Sequence, residues 1–102
     1  MKKKNYTKKE IAKQVASRLD LPASKTHEVV TATFNVMREM MSEDREITRI
    51  ELRNFGTFSV KPAKAKPRAR NPRTNEEVYV PPHRKSHFKP GKLLKSSLRK
   101  PL

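Results

Sequence analysis

The segment at residues 61–75, with the sequence KPAKAKPRARNPRTN, limits what this chain can fold into more than any other stretch. It holds six Lys or Arg residues and three prolines, but no acidic residue and no large aliphatic residue. Such a segment cannot bury a core of its own, so its stabilising surface must lie on a polyanion. Nucleic acid is the first candidate for that polyanion.

The basic charge is concentrated in the second part of the chain. The formal net charge is +15 over 102 residues, and residues 1–60 carry 12 basic and 8 acidic side chains, whereas residues 61–102 carry 13 and 2. We therefore predict one domain at most, whose apolar part is short for a self-sufficient monomer. The chain has no cysteine, which excludes disulfides and thiolate metal sites and gives no reason to expect an oxidising compartment.

The N-terminal residues are basic, as they are in a signal peptide, but the sequence that follows is not apolar. Glu10 and Lys13 interrupt it, and no apolar run of seven residues occurs in the chain. Secretion and a membrane location are therefore not expected. We expect a cytoplasmic protein.

A first helix is predicted to begin at Lys8. Thr7 and Glu10 have capping-box spacing, in which the Thr hydroxyl accepts a bond from a first-turn amide and the Glu carboxylate accepts one from the Thr7 amide. Ile11 opens an apolar stripe at helical spacing that runs to Leu19, where the helix should end.

A second helix is predicted from about residue 22 to residue 41, because Pro favours a first helical position. Its apolar residues form one wide face that consists of Val30, Phe34, Met37 and Met41 with Val29, Thr33, Val36 and Met40 beside them. One short neighbouring helix cannot cover a face of that width. The pattern therefore predicts a core shared between two chains.

The rest of the chain predicts a hairpin, a basic arm and a final helix. Residues 47–60 alternate as two short strands around Asn54, and the arm should rise through residues 61–70, turn at 71–75 and return through 77–80. Prolines at positions 62, 67, 81 and 82 exclude a central strand but are tolerated at the edges of a two-stranded ribbon. Leu93, Leu94 and Leu98 predict a short amphipathic helix after Gly91.

The arm has an alternative interpretation as a solvated, disordered basic linker. Two features favour the arm: the returning strand contains the β-formers Val78, Tyr79 and Val80, and the turn contains Asn71-Pro72, which is specific turn chemistry. At ~3.4 Å per extended residue, residues 60–71 would project on the order of 35 Å, far enough to follow a DNA groove around the duplex.

Pro72 lies at the centre of the predicted turn. Proline is rigid, apolar and without an amide hydrogen, so Pro72 could enter between base pairs from the minor groove while Arg70 and Arg73 hold the flanking strands. The alternative is that Pro72 only sets φ in the turn. The residues by themselves do not decide between these two roles.

No catalytic or metal constellation is predicted. His83 and His87 are four residues apart, but two prolines precede them and no third ligand type converges, so surface or DNA-facing histidines are the default. Glu76 and Glu77 would lie on alternate faces of a strand, which is wrong for paired acid–base work. We expect no enzyme activity, no cofactor, no metal and no small-molecule substrate.

Three motifs occur in order along the chain: FGTF at residues 55–58, RNPRT at 70–74 and FKPGK at 88–92. Together they resemble the bacterial HU/integration host factor family of DNA-bending proteins, over residues 7–98. The resemblance implies an α+β fold in an intertwined dimer, with two N-terminal helices per chain, a three-stranded antiparallel sheet as a saddle, a long β-ribbon arm and a short C-terminal helix. It implies a single DNA-binding domain over residues 1–102, with the helical dimerisation base and sheet start at 7–60, the arm at 61–86 and the last helix at 88–100.

The resemblance also assigns DNA contacts by position. Pro72 resembles the residue that wedges between base pairs, which is a property of the family and not a derivation from these residues. The implied contacts are Arg70, Asn71, Pro72, Arg73 and Thr74 at the tip in the minor groove, Lys64, Lys66 and Arg68 on arm phosphates, Arg53 on the saddle, and Lys8, Lys92 and Lys95 on the body.

The sequence departs from the family pattern in two turns and in the arm. Asn54 and Asn75 stand where Gly is usual, and both turns should persist because Asn tolerates positive φ better than most residues. The rising arm is one residue longer, with Pro62 and Pro67 as additions, which predicts a bulge in the arm.

The sequence therefore predicts a non-enzymatic architectural protein of the bacterial nucleoid that binds duplex DNA in the minor groove and bends it. Its partners would be double-stranded DNA and a second chain, in a homodimer or in a heterodimer with a related chain. A basic RNA-associated structural protein of the ribosomal type is the alternative, because composition does not separate the two. A module that binds an acidic protein is a third interpretation.

Overall fold

The computed structural model describes residues 2–64 and 66–102, and at residues 66–69 and 80 it describes the backbone alone. The elements in chain order are α1 (Lys8–Leu19), α2 (Ala23–Ser42), β1 (Thr48–Leu52), β2 (Gly56–Ala63), β3 (Lys66–Arg70), β4 (Glu77–Val80), β5 (His83–Pro90) and α3 (Lys92–Leu98). They belong to two compact units, Met1–Met40 and Met41–Leu102. The predicted α+β class of the single chain is confirmed.

In the first unit, α1 has the predicted bounds but not the predicted cap. The helix ends where Asp20 takes a left-handed conformation with φ 52°. The Thr7 side chain makes no capping hydrogen bond, so the predicted capping box is wrong. Glu10 is engaged further along the helix, where its Oε1 accepts a bond from Gln14 Nε2 at 3.2 Å. The first turn is closed by the backbone, since the Ile11 amide donates to the Thr7 carbonyl at 3.1 Å.

Helix α2 confirms the second predicted helix to within a residue at each end. Its 20 residues correspond to about 30 Å of helix. Pro22 directly precedes it, and the Pro22 carbonyl accepts bonds from the Thr26 amide at 3.1 Å and the Thr26 hydroxyl at 2.9 Å. Thr26 is buried, whereas several large apolar side chains of the helix remain between 42% and 55% exposed in the single chain: Val29, Phe34, Val36 and Met40.

The second unit contains a three-stranded antiparallel sheet with the strand order β1-β2-β5. Strand β1 pairs with β2 from Thr48 opposite Val60 to Leu52 opposite Gly56, and β2 pairs with β5 as far as Ala63 opposite His83. Pro62 therefore lies past the end of β1, where only β5 is a neighbour of β2. Proline is tolerated there because no second ladder needs its missing amide hydrogen.

Three phenylalanines cluster on one side of this sheet and explain two of the sequence motifs. The Phe58 and Phe88 rings have centroids 4.7 Å apart, and the Phe55 and Phe88 rings 5.3 Å apart. Gly56 is required by space, because a Cβ atom there would lie 2.5 Å from the Lys89 carbonyl oxygen and 2.7 Å from the Phe88 ring. Strands β2 and β5 can therefore pair here, with the Phe88 ring against position 56, only if this position has no side chain.

The β1–β2 turn is joined to the start of α3. Asn54 adopts φ 68°, as its place in the turn predicted, and the Phe55 amide donates to the Leu52 carbonyl at 3.0 Å. The Phe55 carbonyl in turn accepts a bond from the Gly91 amide at 2.8 Å. Gly91 is the residue before α3, so the predicted last helix begins against the hairpin turn.

Candidate nucleic-acid interface

Strands β3 and β4 form a separate two-stranded ribbon that carries the basic segment. Lys66 pairs with Val80, Ala69 with Val78 and Arg70 with Glu77, and the register shifts between Lys66 and Ala69. The predicted bulge is thus confirmed, and Pro67 lies in the shifted stretch. A residue without an amide hydrogen suits a place where the ladder is already interrupted.

Strands β2 and β5 continue to pair beyond the end of β1 and form a two-stranded ribbon there. This pairing runs from Lys61 opposite Lys85 to Ala63 opposite His83, within the bounds predicted for the arm, and β3 and β4 pair in a second ribbon.

The ribbon ends in a compact loop that its own polar groups close. The Asn71 amide donates to the Glu76 carbonyl at 2.9 Å, and the Asn75 amide donates to the Asn71 carbonyl at 2.7 Å. Asn71 Oδ1 also accepts a bond from the Arg73 amide at 2.9 Å. These bonds leave Pro72 exposed at the turn, and Asn75 takes the positive φ expected of it, at 59°. The predicted turn is confirmed.

Arg70 is held across the base of this loop. Its Nη1 donates to Asn75 Oδ1 at 3.1 Å, and its Nη2 lies 3.8 Å from Glu77 Oε1. The Arg70 and Glu77 side chains are 60% and 56% exposed, so the ion pair is solvated and weak. The guanidinium is therefore oriented at the loop by two solvent-exposed contacts.

The other residues assigned by resemblance lie on several elements. Arg53 is in the β1–β2 turn, Lys64 follows β2, Lys8 opens α1, and Lys92 and Lys95 are three apart on α3; all five are exposed. Residues three apart lie on the same side of a helix, so α3 presents two of these cations together. The backbones of Lys66 and Arg68 belong to β3, but their side chains lie outside the described part of the structure.

Sequence reasoning missed a row of basic residues on the three-stranded sheet. Residues paired directly across strands point to the same side of a sheet. On the side away from the phenylalanines, the paired residues are Lys61 and Lys85, Ser59 and His87, Thr57 and Lys89, and Ala63 and His83. We call the exposed residues Lys61, His83, Lys85, His87 and Lys89 the basic sheet face. The signal was readable, because every second residue from 83 to 89 is His or Lys.

Arg84 was also missed, and its role is structural. Its Nη1 donates to the carbonyl oxygens of Glu43 and Arg45, the latter at 2.9 Å. Both carbonyls belong to the loop between α2 and β1, so Arg84 fastens that loop to β5. The sequence offered no sign of this contact because the partners are about forty residues away and are backbone atoms.

Two negative findings concern the described residues. None of them form a group of three or more His, Cys, Asp or Glu side chains that could hold a metal ion. No helix among them combines the length and apolar character needed to cross a bilayer.

The chain is similar to several known proteins. The model of a family described as bacterial DNA-binding protein matches residues 6–99. Integration host factor subunit beta from Burkholderia mallei (strain SAVP1) is 37% identical over 92 residues, covering 87% of this chain and 80% of that protein. Integration host factor subunit alpha from Hahella chejuensis (strain KCTC 2396) is 30% identical over 92 residues, covering 90% and 88%. An Anabaena HU–DNA cocrystal structure has a TM-score of 0.80 at 29% identity, covering 94% of this chain and 100% of that one.

Proposed function

The chain belongs to the bacterial DNA-binding protein family, that of HU and integration host factor, and from this premise we propose that it binds duplex DNA in the minor groove and bends it. The family is described as DNA-binding, and we expect this chain to act as an architectural protein and not as an enzyme. The observation that carries the finer proposal is the closed basic loop with Pro72 exposed at its turn. The site of action would be the bacterial nucleoid.

Bending follows from what the loop can do to a base step. Pro72 would enter between two base pairs and unstack them, at a cost of a few kcal/mol. Arg70 and Arg73 flank it and would hold the groove walls, while the arm lysines and Arg68 would contact phosphates. The bend then brings further phosphates to Arg53, Lys8, Lys92 and Lys95, and these contacts offset the cost of deformation.

A second chain is part of the proposal. Buried apolar residues are few among those the structure describes, namely Ala12, Ala16 and Val60, while α2 exposes a wide apolar face. A homodimer, or a heterodimer with a related chain, would cover that face and would supply the second arm. Two arms acting on one duplex would produce two unstacked steps in a single bend.

The test measures bending and binding separately on the same duplex. Energy transfer between dyes at the duplex ends reports the bend, and titrations at two salt concentrations report the charge-driven affinity. Pro72→Ala should reduce the bend but retain most of the affinity, because the phosphate contacts that supply it are unchanged. For the same reason log K should still fall by ~0.9 per neutralised phosphate as log salt rises. Pro101→Ala, an exposed proline near the C-terminus, is the matched control and should bend DNA normally.

Two results would contradict the proposal. An unchanged bend in Pro72→Ala would contradict the intercalation of Pro72, and an affinity independent of salt would contradict the phosphate contacts. Structured RNA of equal length should compete less well than a kinked duplex. Stronger competition by the RNA would favour an RNA-associated structural protein instead.

A further inference from the structure

The basic sheet face contains two side chains whose charge depends on pH. His83 and His87 lie on β5 with Lys85 between them and Lys89 beyond, and residues two apart in a strand point to the same side. All four are exposed. Neither histidine is among the DNA contacts proposed above.

The lysines of this face are brought together by strand pairing. Lys61 lies directly opposite Lys85, which puts their Cβ atoms about 5 Å apart. Like charges placed directly opposite each other are unfavourable in an isolated sheet. A face that keeps such a pair is suited to a ligand that supplies several negative charges at once.

The remaining charged groups on this side of the sheet come from β1. Arg49 is paired with Ser59 and Glu51 with Thr57, so both side chains point to the side of the lysines. Arg49 Nη2 lies 3.2 Å from Glu51 Oε1. The acidic group on this side is thus already engaged with an arginine, and neither β2 nor β5 contributes a carboxylate to it.

The orientation of the His83 ring leaves one nitrogen available for a proton. His83 Nδ1 lies 2.9 Å from the Pro81 carbonyl oxygen. A carbonyl oxygen can only accept, so Nδ1 carries the hydrogen and donates it. The neutral ring then has its bare nitrogen at Nε2, which is the position where the ring would gain positive charge.

We propose that duplex DNA bound along the basic sheet face drives proton uptake by His83 and His87, so that affinity rises as pH falls, an effect that rests on the DNA binding proposed above. Phosphates near an imidazole favour its charged form over its neutral form. Linkage is reciprocal, so protonation of the two rings must strengthen DNA binding by the same factor. The rise in DNA affinity is expected between about pH 8 and pH 5, the range in which histidines change charge.

The experiment measures affinity for one duplex by fluorescence anisotropy at about pH 6 and about pH 8, each at several salt concentrations. The unaltered protein should bind several-fold more tightly at the lower pH. Its plot of log K against log salt should also become steeper there by up to ~1.8, which corresponds to two additional phosphates. The double variant His83→Gln/His87→Gln should lose both changes.

Two further variants separate proton uptake from other effects. His27→Gln replaces an exposed histidine of α2 and should retain the pH dependence. His83→Lys/His87→Lys carries permanent charge and should bind tightly at both pH values, which shows that the fold of the face survives substitution.

A pH dependence that persists in the double Gln variant, or that His27→Gln abolishes, would overturn the inference. Duplex binding that does not change with pH would overturn it while leaving the proposed function intact. Absence of duplex binding at both pH values would overturn the proposed function itself.

Discussion

At the scale of single residues, asparagine provides positive φ in two turns, whereas glycine provides space where two strands approach closely. Asn54 and Asn75 adopt φ values of 68° and 59°, where Asn is one of the few residues with a side chain that is well tolerated. Asn75 uses its side chain as well, because Oδ1 accepts a bond from Arg70. Gly56 has no positive φ and is required only because the Lys89 carbonyl and the Phe88 ring occupy the space of a Cβ atom.

The two glycines should therefore respond differently to Ala. Gly56→Ala would place its methyl group 2.5 Å from the Lys89 carbonyl oxygen, so β2 and β5 must move apart, and we expect the free energy of unfolding to fall by about 1–3 kcal/mol. Gly91→Ala meets its nearest atom, the Phe55 carbonyl oxygen, at 3.2 Å and should cost less. Urea denaturation of both variants checks this, and an equal loss in the two would refute the steric explanation.

At the scale of elements, the two sheets are unequally supported. Strands β2 and β5 pair over eight positions, and their paired residues Phe58 and Phe88 contact each other in the phenylalanine cluster. The β3–β4 ribbon has three registered pairs, an irregularity between them and exposed side chains at Arg70 and Tyr79. A two-stranded hairpin without an apolar face against a neighbour is marginal in water. DNA would supply the missing contact surface for the ribbon.

Hydrogen exchange should reveal this difference between the sheets. We expect the amides of β3 and β4 to exchange much faster than those of β2 and β5 in the free protein, because opening the ribbon breaks few apolar contacts. Added duplex DNA should slow exchange in the ribbon, while amides of α1 provide the internal control. Full protection of the ribbon without DNA would show that the arm is stable by itself.

At the scale of the whole molecule, a chain of 102 residues leaves much of its apolar surface uncovered. Phe34, Val36 and Met40 are each more than 40% exposed in the single chain. Small domains bury a limited fraction of their surface, and patches of this kind mark places where another chain binds. The second chain in the proposed function meets this need.

A charge placed on that helix should separate the two chains. Phe34→Asp puts a carboxylate on the apolar face, so we expect the molar mass in light scattering to fall from twice 11.8 kDa to 11.8 kDa, with loss of DNA bending. Asn35→Asp adds the same charge at the exposed neighbouring position and should remain a dimer. A chain that is already monomeric without substitution, or a Phe34→Asp variant that stays dimeric, would contradict this assignment.

The features that sequence reasoning predicted are those that local chemistry controls. Apolar spacing of 3.6 residues indicated the helices α1 and α2, and Asn, Pro and Thr indicated the turn at 71–75. The capping box was wrong, although its spacing is also local: Thr7 makes no side-chain cap bond, and Glu10 accepts a bond from Gln14 one turn further along. Sequence spacing permits a side-chain bond but does not rank it against its alternatives.

The sequence by itself determined the helices, the hairpins, the charged arm and the family to which the chain belongs. Only the tertiary structure decided that Lys61 faces Lys85 across a sheet, that Gly56 lies against Phe88, and that Arg84 binds a loop some forty residues away. These contacts depend on which strand lies beside which and in what register. A slip of one residue would reverse the side to which every side chain points, and residues distant along the chain fix that register together.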